Sequence, residues 1–193
     1  MSFVLVRPTR IGLPKISAKS VQKALGSRIV KYSACVKNGR RVLVKIAADG
    51  GGVPMPLSAA QVAGFKSYLD KIQPAGVQIS IINSVGDYLN LSGTTIYYDP
   101  NQDEILVRSL VEQAIMNYIK STNFKGEFLI NQFIDQLQRL RLQGVQDVVV
   151  VAQAKVGATP YQNITRNYLA YAGYLQIDSL YPLSTAITYI PTL

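Results

Sequence analysis

A strand, a turn and the start of a helix follow one another in residues 91–104, Leu91-Ser92-Gly93-Thr94-Thr95-Ile96-Tyr97-Tyr98-Asp99-Pro100-Asn101-Gln102-Asp103-Glu104. The first part is rich in β-branched and aromatic residues, which favour a strand, and Asp99-Pro100-Asn101 then turns the chain. Asn101 and Glu104 predict the capping pair of a helix. This stretch therefore predicts a sheet with a helix that follows it directly.

The residues after this turn predict two amphipathic helices and a strand. The first helix carries a stripe of apolar residues at helical spacing, namely Val107, Val111, Ala114 and Tyr118. The second helix follows Gly126 and ends at Gly144, since glycine is a common stop signal for helices. A strand over residues 145–152 then completes a β-α-α-β unit.

The residues before position 91 predict a further helix and several strands. Ser58 and Gln61 have the spacing of a capping box, and the helix that they start ends at Gln73-Pro74. Residues 29–36 and 41–48 read as two strands joined by a hairpin turn at Asn38-Gly39. Residues 77–81 alternate apolar with polar side chains and predict another strand, and a short basic helix is predicted from Ser17.

The C-terminal part of the chain is rich in tyrosine. Residues 168–177 alternate in a way that favours a strand, and residues 184–191 also read as extended. Tyrosine offers a large contact area with a polar hydroxyl, so we predict a partner-binding surface here. Its candidate residues are Tyr161, Tyr168, Tyr171, Tyr174, Tyr181 and Tyr189. The alternative, that these rings line the core rim of the chain's own fold, stays open.

These patterns predict an α+β fold of two or three modules with small sheets and two to four amphipathic helices. The order of core elements is β-α-β-β-α-α-β, and the C-terminal end is β-rich. We assign residues 1–48 to a basic segment with a short helix and a hairpin, residues 49–153 to an α+β core, and residues 154–193 to a tyrosine-rich, extended interaction region.

Positive charge is concentrated at the N-terminus. The chain has a formal net charge of +9, and residues 1–48 hold eleven of its 20 Lys and Arg but no Asp or Glu. Such a segment predicts an acidic partner, either DNA or a protein surface, although a solvated basic face is the alternative. The partner-binding candidates are Lys19, Lys23, Lys37, Arg40 and Arg41. The segment lacks interleaved aromatic residues, so recognition of single-stranded bases is not predicted.

The composition excludes most enzyme mechanisms. The chain has no His and one Cys, which rules out His-dependent nucleophiles and an internal disulfide. The tight acidic cluster of Asp99, Asp103 and Glu104 is explained by helix capping. Lys45 shows no local setting that would lower its pKa, and Cys35 is predicted to be buried in a β-branched run. We therefore expect no catalytic site, metal or cofactor, and a soluble protein without membrane contact.

From residue 43 to about residue 152, the order of elements and several short signatures resemble one known family. The signatures are Val42-Leu43-Val44-Lys45-Ile46, Gly50-Gly51-Gly52, Pro56-Leu57-Ser58, Tyr68-Leu69, Gln73-Pro74-Ala75-Gly76-Val77-Gln78-Ile79, Tyr97-Tyr98-Asp99, Phe124-Lys125-Gly126-Glu127 and Gln143-Gly144-Val145-Gln146-Asp147-Val148. Together they are similar to the baseplate J-like proteins of contractile-tailed phages, which are wedge components of the tail baseplate. The chain looks like a shortened member, and neither its basic N-terminus nor its tyrosine-rich end matches a family signature.

The resemblance implies a structural virion protein rather than an enzyme. It implies a tail, baseplate or head-tail ring subunit that assembles in the host cytoplasm with copies of itself and with other tail or connector proteins. A basic nucleic-acid-contacting module, which could line a DNA channel, is the alternative function. Under either function the basic segment would contact a partner that is not part of the core.

Overall fold

The computed structural model describes residues 29–39, 41–73, 76–124 and 127–193. Within these ranges the chain forms four α-helices and thirteen short strands in small sheets, which confirms the predicted α+β class. The predicted helix from Ser17 lies outside the described residues.

The first part of the fold, residues 32–82, is called the hairpin unit here. Its elements are β1 (Tyr32–Asn38), β2 (Arg41–Asp49), β3 (Pro54–Met55), α1 (Ala59–Ile72) and β4 (Gln78–Ile82). Strand β2 pairs with all three others, antiparallel with β1 and β3 and parallel with β4. Val62 and Phe65 of α1 pack against a small core of Val44, Ile46 and Leu57. The unit is therefore one sheet covered by one helix.

Local sequence signals set the boundaries of this unit. The backbone N–H of Ser58 donates to Gln61 Oε1 (2.9 Å) and Gln61 N–H donates to Ser58 Oγ (3.4 Å), so the predicted capping box is present. The helix ends with Gln73 as its C-cap, as predicted. The predicted hairpin is also confirmed, with Gly39 at a φ of 59° in the turn. Glycine suits this left-handed conformation because it has no Cβ.

The second part, residues 87–193, is called the main body. Its elements are β5 (Asp87–Asn90), β6 (Thr94–Tyr98), α2 (Glu104–Thr122), β7 (Phe128–Leu129), α3 (Ile130–Gln138), a 3-10 helix (Arg139–Gln143), β8 (Val145–Val149), β9 (Gln153–Lys155), β10 (Gln162–Asn163), β11 (Asn167–Tyr168), β12 (Leu175–Ile177), α4 (Leu183–Ala186) and β13 (Ile187–Pro191).

Three small sheets form the main body. Their strand orders are β10-β9-β5-β12, β13-β6-β8 and β11-β7. Strands β12 and β13 run parallel to β5 and β6, so residues from the predicted C-terminal region complete sheets begun in the predicted core. The buried cluster accordingly draws on residues 89–189, and the rings of Tyr118, Phe128 and Phe133 contact one another at its centre.

The start of α2 differs from the prediction. Its N-cap is Asp103, whose carboxylate accepts the N–H of Ile105 (2.9 Å), whereas Asn101 was the predicted cap. The Asn101 amide instead donates to Asp99 within the preceding turn (2.9 Å). Because Asp accepts hydrogen bonds in the same way as Asn, the shift moves the helix start without changing the turn.

The prediction of one strand over residues 168–177 is wrong. Only the end of β11 and the short strand β12 fall there, and residues 169–174 make a loop between them. The carboxylate of Asp87 accepts the backbone N–H groups of Tyr171 (2.7 Å) and Ala172 (3.2 Å), and Gly173 has a φ of 95°. These contacts turn the backbone away from a sheet ladder.

Two smaller boundaries also move. The predicted strand over residues 145–152 ends at Val149, and β9 begins only at Gln153. The tail begins with the short helix α4, and only Ile187–Pro191 extends as a strand. Thr94 explains the first break, because its hydroxyl donates to the carbonyl of Val151 (3.0 Å) and accepts the Val151 N–H (3.1 Å).

Candidate functional site

The basic candidates lie at the tip of the hairpin. Lys37 and Arg41 are exposed near the ends of β1 and β2, and Arg41 Nε donates to Gln78 Oε1 (3.0 Å). The structure thus brings two predicted cations to one exposed turn. Lys19, Lys23 and Arg40 lie outside the described residues.

The six tyrosine candidates separate into exposed and internal rings. Tyr171 and Tyr181 are exposed, whereas Tyr174 and Tyr189 are buried in the chain's own core. Burial raises the pKa of both buried phenols to about 12. These two side chains cannot offer a ring to a partner without unfolding, so the structure reduces the predicted surface to its exposed members.

Tyr161 and Tyr168 are half-buried and each donates its hydroxyl to a buried aspartate. Tyr161 donates to Asp178, and Tyr168 donates to Asp87 (2.7 Å). Burial, followed by the contact with Asp87, raises the pKa of Tyr168 far above its ordinary value. Both hydroxyls therefore hold the fold together, and only part of each ring reaches the surface.

Asp87 is a buried carboxylate of the main body, and it interacts electrostatically with Lys45 of the hairpin unit. Only 1% of its surface is exposed, and its carboxylate accepts hydrogen bonds from Tyr168, Tyr171 and Ala172. Next to it, the ring of Phe124 stacks between Tyr32 of β1 and Tyr174 of the main body, with centroids 5.8 and 5.7 Å away. Asp87 was not among the residues predicted from the sequence, because its donors lie more than 80 positions away in the chain.

The surroundings of Lys45 differ from those predicted from the sequence. The residue is only 6% exposed, and its ammonium donates to the carbonyl oxygen of Ala170 (2.5 Å). Burial lowers the pKa of the amine, and the Asp87 carboxylate opposes that shift. The local sequence showed no such setting, because both Asp87 and Ala170 come from the main body.

Cys35 also differs from its prediction, because its thiol is exposed on β1. A helix covers β2 but not this edge of the sheet, where Ser33, Cys35 and Lys37 all remain exposed. Beside this edge lies a cavity of about 220 Å³, lined by Ala34, Cys35, Val36, Lys45, Phe124, Leu169, Ala170 and Gly173. The cavity separates β1 from the loop over residues 169–174.

A second buried carboxylate, Asp178, organises the other end of the tyrosine-rich region. Lys155 Nζ lies 2.8 Å from Asp178 Oδ2 and 4.4 Å from the centre of the Tyr161 ring. Burial alone would raise the pKa of Asp178, but hydrogen bonds from Lys155 and Tyr161 outweigh it and lower the pKa to about 2. The carboxylate is therefore a fully partnered structural group.

The acidic turn has a partner for each carboxylate. Asp99 accepts from Asn101, Asp103 caps α2, and Glu104 accepts from Arg108 (2.7 Å) and from the hydroxyl of Tyr98 (3.0 Å). In the part of the chain that the structure describes, no group of three His, Cys, Asp or Glu side chains is placed to hold a metal ion.

Several large apolar side chains are left on the surface. Leu142 of the 3-10 helix is 94% exposed, Ile105 at the start of α2 is 76% exposed, and Leu180 after β12 is 74% exposed. The 3-10 helix and α2 meet where Gly144 packs against Gln102, so Leu142 and Ile105 belong to neighbouring elements. Leu180 lies in the C-terminal region, next to Tyr181.

No family model matches this chain, and no curated protein is significantly similar to it. Among the described residues, no helix is both long enough and apolar enough to cross a membrane.

Proposed function

We propose that this chain is a structural protein of a bacteriophage virion, a tail, baseplate or head-tail ring subunit that binds copies of itself and other tail proteins. The observation that carries the proposal is the combination of internally bound polar groups with exposed apolar ones. The carboxylates of Asp87 and Asp178 are bound within the fold, whereas Leu142, Ile105 and Leu180 face outward. Such a surface suits association rather than chemistry on a small substrate.

Two different surfaces support the ring form of this proposal. One lies at the start of α2 and the 3-10 helix, with Ile105, Leu106 and Leu142 exposed. The other lies in the C-terminal region, with Leu180 and Tyr181 exposed. A cyclic assembly with head-to-tail contacts needs two unlike surfaces that meet between neighbours. The resemblance of residues 43–152 to baseplate J-like proteins points to the same class of assembly.

Quantitative mass spectrometry of purified particles tests this function. We expect the chain in particles at a fixed ratio to other tail proteins, and we expect the purified chain to form a larger species with the products of neighbouring genes in mass photometry. Replacing Ile105 and Leu142 with Ser should abolish that species, while replacing the exposed residues Ile72 and Val85 with Ser serves as the control. Absence of the chain from purified particles would contradict the proposal.

A nucleic-acid contact is a second candidate function, favoured by the charge distribution. Residues 1–48 carry eleven basic residues without an acid, and Lys37 and Arg41 are exposed at the hairpin tip. Phosphate contacts of this kind require no recognition of base sequence. If the assembly surrounds DNA, both functions belong to one protein.

Charge reversal at the tip separates these candidates. For a DNA contact, changing Lys37, Arg40 and Arg41 to Glu should weaken binding and reduce the salt slope by about 0.9 for each phosphate that these side chains no longer neutralise. For an acidic protein partner, the same change should block particle assembly and leave DNA binding unchanged. Reversal of the exposed Lys66, Lys71 and Lys120 is the matched control. If the triple reversal alters neither readout, the tip is only a solvated face.

A further inference from the structure

Strand β1 is an edge strand, and its first five residues lack the charges, prolines and bulges that usually protect an edge. Among the described residues it pairs only with β2, over seven residues and without a register shift. Residues 32–36 carry no charge and no proline. An edge of this kind presents unpaired N–H and C=O groups at every second residue, which bind another strand unless charges, prolines or bulges prevent it. No described residue of the chain pairs with this edge, so another strand is able to add to it.

The cavity beside β1 would offer an added strand apolar contacts in addition to backbone hydrogen bonds. Ala34, Cys35 and Val36 line it on one side, and the loop over residues 169–174 lines it on the other. Leu169 and Tyr171 of that loop are about half exposed. A strand placed along β1 would cover apolar surface on both sides of the cavity.

We propose that β1 pairs with β1 of a second copy of this chain, antiparallel about a two-fold axis that passes through Cys35. The seven residues of β1 are centred on Cys35, so this register uses the whole strand. It places Ser33 of one copy opposite Lys37 of the other, and Ala34 opposite Val36. The small apolar side chains meet on one face, and no like charges oppose each other.

Both neighbouring registers shorten the ladder, and one of them also sets like charges opposite each other. An axis through Ala34 shortens the ladder to residues 32–36 and sets Lys31 of one copy opposite Lys37 of the other. Like charges directly opposite across strands are destabilising. An axis through Val36 leaves only residues 34–38 of each strand in the ladder. The sequence of β1 is thus self-complementary in one register, which favours a second copy as the occupant.

Disulfide formation across the axis tests this register. Directly opposite residues in antiparallel strands have Cα atoms about 4.5–5.5 Å apart, within the range of a disulfide. Mild oxidation of the wild-type chain should give a covalent dimer on a non-reducing gel, and C35S should give none. Circular dichroism of each variant checks that the chain is folded.

Cross-linking of two different cysteine variants, mixed together, excludes disulfides that form by chance collision. In the proposed register, S33C/C35S mixed with K37C/C35S should form heterodimers, because these positions lie opposite each other. Neither variant alone should cross-link, since its two cysteines would be four positions apart, roughly 13 Å along the strands. Analytical ultracentrifugation without oxidant should show a wild-type dimer that K37P or S33P disrupts.

Three results would overturn the inference. They are a folded monomer at all concentrations, cross-linking of S33C/C35S with itself, and preferential cross-linking of Cys35 to S80C on β4 of another copy, which would indicate head-to-tail pairing of the sheets. The β1 contact does not depend on the phage function. A chain found in particles without the register-specific cross-links would keep that function and lack this contact.

Discussion

The hairpin unit and the main body bury very different amounts of apolar surface. The core of the main body draws on both long helices and all of its sheets, whereas the core of the hairpin unit consists of Val44, Ile46 and Leu57, and no residue of α1 is fully buried. Small cores contribute little stability by themselves. The hairpin unit therefore depends on its contacts with the main body through Tyr32, Lys45 and the residues around Asp87.

The two regions also carry different candidate contact surfaces. The hairpin unit holds the edge strand β1 and the exposed cations Lys37 and Arg41 at its tip. The main body holds the exposed apolar residues at the start of α2 and in the C-terminal region. The two kinds of candidate contact therefore lie in different parts of the fold.

The largest expected effect is on the free energy of unfolding, and it is measured by replacing one phenylalanine in each of the two cores. Phe133→Ala, in the centre of the main body, should cost about 3–5 kcal/mol of unfolding free energy, because it leaves a large cavity. Phe65→Ala, on half-buried α1, should cost only about 1–2 kcal/mol. Urea unfolding followed by circular dichroism measures both. Equal costs would show that the two cores are not energetically different.

Hydrogen exchange of the same two variants shows which parts of the fold each substitution destabilises. Phe65→Ala should accelerate exchange at the amides of β1 and β2 while leaving β6 and α2 protected, because a region with a small core opens locally. Phe133→Ala should accelerate exchange throughout the main body. If Phe65→Ala accelerates exchange equally in both regions, then the hairpin unit and the main body open as one.

The sequence predicted those parts of the fold that rest on local signals. The capping box at Ser58 and Gln61 and the hairpin at Gly39 were confirmed, since each depends on residues a few positions apart. The parallel pairing of β12 with β5 and of β13 with β6 could not be predicted, because these partners lie about 90 positions apart.

The candidate site was harder to predict for the same reason. The alternation over residues 168–177 favoured a strand, but the Asp87 carboxylate accepts two backbone N–H groups of that segment, which forms a loop. Lys45 has apolar neighbours in the sequence, and only the distant carbonyl of Ala170 explains how its amine is accommodated. A buried polar group with long-range partners leaves no periodic pattern in the chain.

An effect of intermediate size tests how the main body holds the loop over residues 169–174. Asp87→Asn should cost about 1–3 kcal/mol, because the amide cannot accept all the hydrogen bonds that Tyr168, Tyr171 and Ala172 donate. Asp70→Asn, exposed on α1, is the control and should change stability by less than about 0.5 kcal/mol. Thermal unfolding of both variants is the measurement. An Asp87 variant as stable as its control would mean that these hydrogen bonds add nothing measurable to the stability of the main body.

The smallest expected effect concerns Lys45 and appears as a dependence on pH. Burial lowers the pKa of this amine in the folded chain below its ordinary value of 10.5, so over the window between the two values the unfolded chain holds a proton that the folded chain does not. Stability should therefore rise with pH across that window. Buried Tyr174 and Tyr189 act in the opposite sense, because their raised pKa values make stability fall as pH increases above about 10.

Measurements below the ordinary phenol pKa of about 10 separate the amine from these phenols. Lys45→Met keeps most of the side-chain volume and removes the titrating group, so the rise in urea midpoint with pH seen for the wild type should be reduced in the variant. The variant also leaves the Ala170 carbonyl without its donor, but that loss is the same at every pH and does not alter the slope. Lys66→Met, exposed on α1, should keep the wild-type slope. If Lys45→Met keeps it as well, the amine titrates as in the unfolded chain, and the contact between the hairpin unit and the main body does not hold a desolvated charge.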